Sequence, residues 1–209
     1  MADSNLSTPT DGKRERLKNA NRQAILEAAR AVFARTGYEA TTVRDIIRET
    51  KLASGTFYNY FKSKEEVFHA IASSSAARFR PHLRNVREES DGFEAFIRGA
   101  YRAYFQFLSD ENSEAISMGA PHMALIGVRV DTPEMQAIFD EIRTDIEDML
   151  ALGGTEKVDT EYLAAAAMGI ARDIGDHMLQ RRPVDVDGAT RFATALLLSG
   201  ISGVVGTIS

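Results

Sequence analysis

Two short apolar repeats, separated by a turn too brief to be anything else, set what this chain folds into. They lie in Thr42 to Lys64, TVRDIIRETKLASGTFYNYFKSK. Val43, Ile46 and Ile47 mark one face of a helix of about two turns. Phe57, Tyr60 and Phe61 mark one face of another. Lys51-Leu52-Ala53 leaves room only for a tight turn, so the pair reads as a helix-turn-helix unit. The outward face of the second helix carries Ser54, Gly55, Thr56, Tyr58 and Asn59, which are small or hydrogen-bonding and include no acid. Arg44, Arg48, Lys51, Lys62 and Lys64 flank it. Such a surface can approach a phosphate backbone closely and reach base edges.

The net charge of −5 argues by itself against a nucleic-acid partner, but its distribution argues for one. Residues 1–64 hold twelve Lys and Arg against seven Asp and Glu, while residues 65–209 hold thirteen against twenty-three. A basic N-terminal module can touch DNA while an acidic body stays outside the groove. There is no cysteine, which excludes disulfides, thiolate metal sites and thiol nucleophiles and fits a cytoplasmic protein. No secretory leader or membrane span is expected. The longest apolar stretch, Phe192 to Val205, is interrupted by Thr194, Ser199, Gly200, Ser202 and Gly203 and is shorter than the ~20 residues a span needs. The histidines at 69, 82, 122 and 177 lack metal-ligand spacing. No nucleophile signature, paired carboxylate motif or phosphate loop is present, so neither an enzyme nor a cofactor is expected.

In chain order, residues 1–18 read as a disordered tail ending in Lys13, Arg14, Arg16 and Lys18. These residues form either a solvated leader or a basic arm for DNA. A first helix spans about Arg22 to Thr36 on the stripe Ile25, Ala28, Ala29, Val32 and Phe33. Gly37 takes the left-handed position after it, with Tyr38 folding back. Thr42 and Asp45 cap the second helix. Ser63 and Glu66 form a capping box that opens a fourth, running to Pro81 or beyond. An aromatic stripe from Phe93 to Leu108 predicts a long helix. Further helices are expected over about Pro133–Leu150 and Asp159–Gln180, with a last one capped by Asp187 and reaching Val204. Val128-Arg129-Val130 is too short for a strand. The fold class is therefore all-α. A helix-turn-helix domain at 19–79 is followed by a larger antiparallel helical domain at 80–209, with about nine helices in total.

The stretch Ile25 to Phe68 resembles the TetR family of bacterial transcriptional regulators. The carrying pattern is A-x-x-x-F-x-x-x-G-Y, then T-T-V-x-D-I, then S-G-T-F-Y-N-Y-F-K-S-K-E-E. The resemblance implies a dimer that binds double-stranded operator DNA and holds a small-molecule effector in its C-terminal domain. By motif position, Thr42 and Arg44 would touch phosphates or adjacent bases. Ser54, Gly55, Thr56, Tyr58, Asn59 and Tyr60 would touch DNA from the recognition helix, and Lys64 would anchor a phosphate. Two departures stand in the turn. Lys51 replaces a turn glycine, at a cost on the order of 1 kcal/mol if that position is left-handed, and Ala53 replaces a capping hydroxyl.

The reading is a ligand-responsive regulator, foremost a repressor that binds a palindromic operator as a dimer and is released by a largely apolar effector. An activator, or a binding module without specific DNA affinity, are the alternatives. Tyr101, Tyr104, Phe105, Met118, His122, Met123 and Phe139 are the candidate pocket walls. The Ala-rich and Gly-rich faces of the last two helices suit close packing against a second copy. Ala166, Ile170, Ile174, Phe192, Leu196, Gly200 and Gly203 form that expected homodimer interface.

Overall fold

The computed structural model describes residues 9–117, 133–152 and 158–207. Among these residues there are nine helices and no strand. They are α1 (Pro9–Thr36), α2 (Val43–Glu49), α3 (Ser54–Tyr58), α4 (Lys64–Glu89), α5 (Phe93–Glu111), α6 (Ser113–Ser117), α7 (Pro133–Leu152), α8 (Thr160–Gln180) and α9 (Val186–Thr207). They group into two compact units, Met1–Ile71 and Ala72–Ser209. Val128 to Val130, Met118, His122 and Met123 lie outside the described residues.

The first unit closes around Ile25, Ala29, Val32, Phe33, Ile46, Phe57, Phe61 and Phe68, all buried. Gly37 adopts φ +79 and donates its N–H to Phe33 O at 2.9 Å, ending α1 in the left-handed conformation that a side chain would resist. The Tyr38 ring then folds back 5.4 Å from Phe33 and 4.8 Å from Phe68. A capping box opens α2, with Thr42 Oγ1 accepting from Asp45 N and Asp45 Oδ2 accepting from Thr42 N.

Four local expectations change. Helix α1 starts at Pro9, not near Arg22, so residues 9–18 are helical and not the disordered tail that their polarity suggests. Proline suits a first helical turn, and Lys-Arg-Glu-Arg-Leu-Lys is a run of strong helix formers that needs no burial to continue α1 by propensity. No non-glycine residue among those described has positive φ, so Lys51 is not held left-handed. At the start of α4, Ser63 Oγ accepts from Glu66 N, but Glu66 reaches Lys62 N at 2.6 Å instead of closing the box on Ser63. Asp185, not Asp187, caps α9, accepting from Gly188 N at 2.7 Å. Asp187 points outward and pairs with Arg102 at 2.6 Å.

In the second unit α5 packs against α8 and α9, and α7 against α8. Phe96, Ile97, Tyr101, Tyr104, Phe105 and Leu108 of α5 form the middle of its core, joined by Ile146, Leu163, Ala164, Leu179 and Leu197. Gly175 makes the close α5–α8 approach possible, since a Cβ there would stand 2.7 Å from Leu108 Cδ1. Helix α4 continues past Pro81 to Glu89 although proline supplies no N–H to the helix ladder. Its later turns are tied to α5 and α7 by ion pairs: Arg78–Glu111 and Arg80–Glu141, each at 2.6 Å, and Arg87–Asp145 at 2.7 Å. Among the described residues no helix is long and apolar enough to cross a membrane.

Candidate functional site

Helix α3 is only five residues long, so its position comes from packing and not from its own hydrogen bonds. Phe57 anchors it in the core, 6.2 Å from the Phe61 ring. Ala53 precedes it with no side-chain cap, as the missing hydroxyl requires. With Phe57 turned inward, Ser54, Gly55, Tyr58 and Asn59 fall on the outward face and are exposed, Tyr58 to 60 %. Thr56 is half-buried. Tyr60 lies past the end of α3 and turns toward α1, its hydroxyl accepting from Asn21 Nδ2 at 3.4 Å.

The flanking residues behave unequally. Arg44 is exposed on α2. The Thr42 hydroxyl is committed to its cap, donating to Asp45 Oδ2 at 2.6 Å. Lys64 donates to Tyr38 O at 3.0 Å and Glu39 O at 3.1 Å, and its ammonium sits 4.6 Å over the Tyr38 ring. An ammonium has three protons, so one is left for a phosphate. Lys64 thus also fastens α4 to the turn after α1, a role that its place in the motif does not reveal. Sequence reasoning missed Arg22, stacked 5.1 Å from the Phe61 ring, whereas the Gly-Tyr pair after α1 had signalled the fold-back of Tyr38.

Carboxylates in this unit are tuned by hydrogen bonds. The Thr42 side-chain and backbone hydrogen bonds hold Asp45 below its ordinary pKa, with Arg48 and Arg44 adding to the effect. The Ser63 hydroxyl leads the same lowering at Glu65. Burial, and then the Glu65 charge, push the Tyr38 phenol up.

The second unit holds a partly open cavity of about 60 Å³ lined by α4, α5, α7 and α8. Tyr101 and Tyr104 line it, together with Phe79, Leu83, Ile142 and Met168, which sequence reasoning did not single out because they come from three further helices. Phe105 is fully buried core, and Phe139 packs half-buried against that core; neither lines the cavity. The Tyr101 hydroxyl donates to Ala167 O at 3.2 Å. The Tyr104 hydroxyl is buried with no hydrogen-bond partner. Burial drives both phenols well above their ordinary range, with the Asp176 charge adding to the rise at Tyr104.

Along α8 and α9 runs an exposed apolar face. Tyr162 is 76 % exposed, Phe192 58 % and Leu196 49 %. Ala166 and Gly200 are also exposed, while Ile170 and Ile174 are half-buried. Gly203 lies in α9. Among the described residues no group of three acidic, His or Cys side chains could hold a metal.

Residues 25–71 match the family model described as bacterial regulatory proteins, tetR family. Over 200 residues the chain is 28 % identical to the HTH-type transcriptional regulator TcmR of Streptomyces glaucescens, covering 91 % of this chain and 88 % of that one. Among solved structures it is similar in fold to FadR of Bacillus subtilis in complex with stearoyl-CoA, at TM-score 0.66 and 18 % identity, over 85 % of this chain and 98 % of the other. It is also similar to RolR in complex with resorcinol, at TM-score 0.57 and 20 % identity, over 88 % and 89 %.

Proposed function

We propose that this chain, which belongs to the TetR family of bacterial regulatory proteins and is a transcriptional regulator, acts as a repressor released by a largely apolar effector. Two copies present their α3 helices to successive major grooves of a palindromic operator. Ser54, Gly55, Tyr58 and Asn59 face the bases, Arg44 and Lys64 reach phosphates, and Tyr60 and Thr56 border the contact. Thr42 serves chiefly to cap α2. The observation that carries this reading is the outward face of α3, polar, acid-free and exposed, held by the buried Phe57 beneath it.

The dimer forms through α8 and α9. Tyr162, Phe192 and Leu196 are the apolar side chains that a second copy would cover, and large exposed apolar groups on adjoining helices mark such surfaces. The effector enters the cavity beside Tyr101 and Tyr104. A cavity of about 60 Å³ is well below the roughly 150 Å³ of an engineered apolar cavity that takes up one benzene. The effector therefore selects an expanded state, displacing Phe79 and Leu83. These belong to α4, the helix whose first turn holds Lys64. Operator affinity falls by as much as the effector prefers that expanded state. The fold relatives carrying stearoyl-CoA and resorcinol support an apolar or aromatic class.

Selection of bound fragments from the source genome tests this. An inverted repeat, protected by a complex of two chains and released by an apolar compound, is expected. Weak binding indifferent to sequence would contradict it.

A further inference from the structure

Helix α1 runs on past the buried core that it packs against. Its apolar stripe, Ile25, Ala28 and Val32, is buried, and one turn earlier Asn21 reaches the Tyr60 hydroxyl just past the end of α3. Arg22 beside it covers the Phe61 ring. The helix nevertheless continues toward its N-terminus to Pro9. Stepping back from Ile25 at helical spacing, the same stripe reads Asn21, Lys18, Arg14. The face that packs on the helix-turn-helix core thus becomes basic where it passes the end of α3. Arg14 and Lys18 are exposed. Arg14 lies about 12 Å beyond Arg22 at 1.5 Å per residue. Glu15 and Lys13 sit on the two flanks of the stripe, and Arg16 falls on the opposite side of the helix.

We infer that this overrun is a helical DNA-binding arm, in which Arg14 and Lys18 bind the phosphate backbone of the duplex that α3 reads. The occupant follows from charge and continuity. The proposed DNA face includes the end of α3, and Asn21 and Arg22 fix α1 against that end, so the cationic stripe leaves the protein alongside the DNA. Any partner there carries regularly repeated negative charge, as a phosphate backbone does. The contact adds affinity and orientation, not sequence choice. This inference rests on α3 being the reading helix.

The test is the salt dependence of binding to the selected operator and to a scrambled duplex of equal length. Each lost phosphate contact lowers the slope of log affinity against log salt by about 1. The double variant Arg14→Ala, Lys18→Ala should lose about 2 per protomer, equally on both duplexes. Arg14→Lys with Lys18→Arg should keep the full slope, as should Arg16→Ala, which removes a charge from the other side of the helix. The arm is refuted if the double variant keeps the wild-type slope, or if Arg16→Ala lowers it as much as either single substitution in the stripe. Wild-type protein that does not distinguish the operator from the scrambled duplex would overturn the reading helix, and the arm with it.

Discussion

The two proposed sites differ in how they stand to the core of their own unit. In Met1–Ile71 the core is a platform, and the proposed DNA face stands outside it, on Ser54, Gly55, Tyr58 and Asn59. In Ala72–Ser209 the proposed effector site is inside, where Tyr104 keeps an unpartnered hydroxyl within an apolar core. The carboxylates of the two units differ in the same sense. Asp45 and Glu65 are lowered by hydrogen bonds to the cap residues Thr42 and Ser63, whereas burial raises Asp145 and Asp176. Among the described residues Asp173 departs, lowered chiefly by its hydrogen bond from half-buried Arg172. An outward site demands exact local backbone, and local hydrogen bonds supply it.

The largest effect should come from removing the platform. Phe57→Ala deletes a fully buried ring and should cost about 3–5 kcal/mol, read by denaturant unfolding of the full chain. Amide exchange should assign the loss to residues 9–71, with α5 and α8 protection kept. Equal loss in both units would erase the comparison.

Acid should separate the units next. Groups with lowered folded pKa stabilise above the unfolded value, and that stability is lost as pH falls through the folded one. Groups with raised pKa do the reverse, contributing most when protonated. Lowering the pH through and below the ordinary carboxylate range should therefore weaken exchange protection around α2 and the start of α4 first. The α4–α7 seam around Asp145 should hold longer. Asp145 is 1 % exposed, and its Oδ1 lies near Arg87 without a directed hydrogen bond, so protonation relieves a buried charge. Simultaneous loss at both places would show that the caps do not govern the first unit.

A smaller change sharpens the account of the second unit. Tyr104→Phe removes a buried hydroxyl that has no partner, so the apo protein should be unchanged or stabilised by about 1 kcal/mol in thermal unfolding. Destabilisation of that size would mean that the hydroxyl is satisfied.

The first unit was largely legible in the sequence, because its determinants are local. Gly37, Thr42 with Asp45, and the Phe57–Phe61 spacing each fix backbone within a few residues. The α1 overrun was not, because polar composition suggests disorder while Lys, Arg, Glu and Leu also favour helix, and composition alone does not choose. The cavity was half legible. The aromatic stripe of α5 pointed to Tyr101 and Tyr104, but Phe79, Leu83 and Ile142 reach it from helices whose approach depends on the whole packing. The role of Lys64 as a fastener was hidden for the same reason, since Tyr38 and Glu39 are 26 and 25 residues away.

The central claim is that the exposed face of α3 reads DNA, and Tyr58 is its cleanest probe. It is exposed, whereas Lys64 also holds the turn after α1 and its loss would mix binding with stability. Affinity of Tyr58→Ala for the selected operator, measured beside the wild type, tests it directly. A loss of about 1–3 kcal/mol of discrimination between operator and scrambled duplex, with unfolding unchanged, is the predicted result. Full discrimination retained by a folded Tyr58→Ala protein would contradict it.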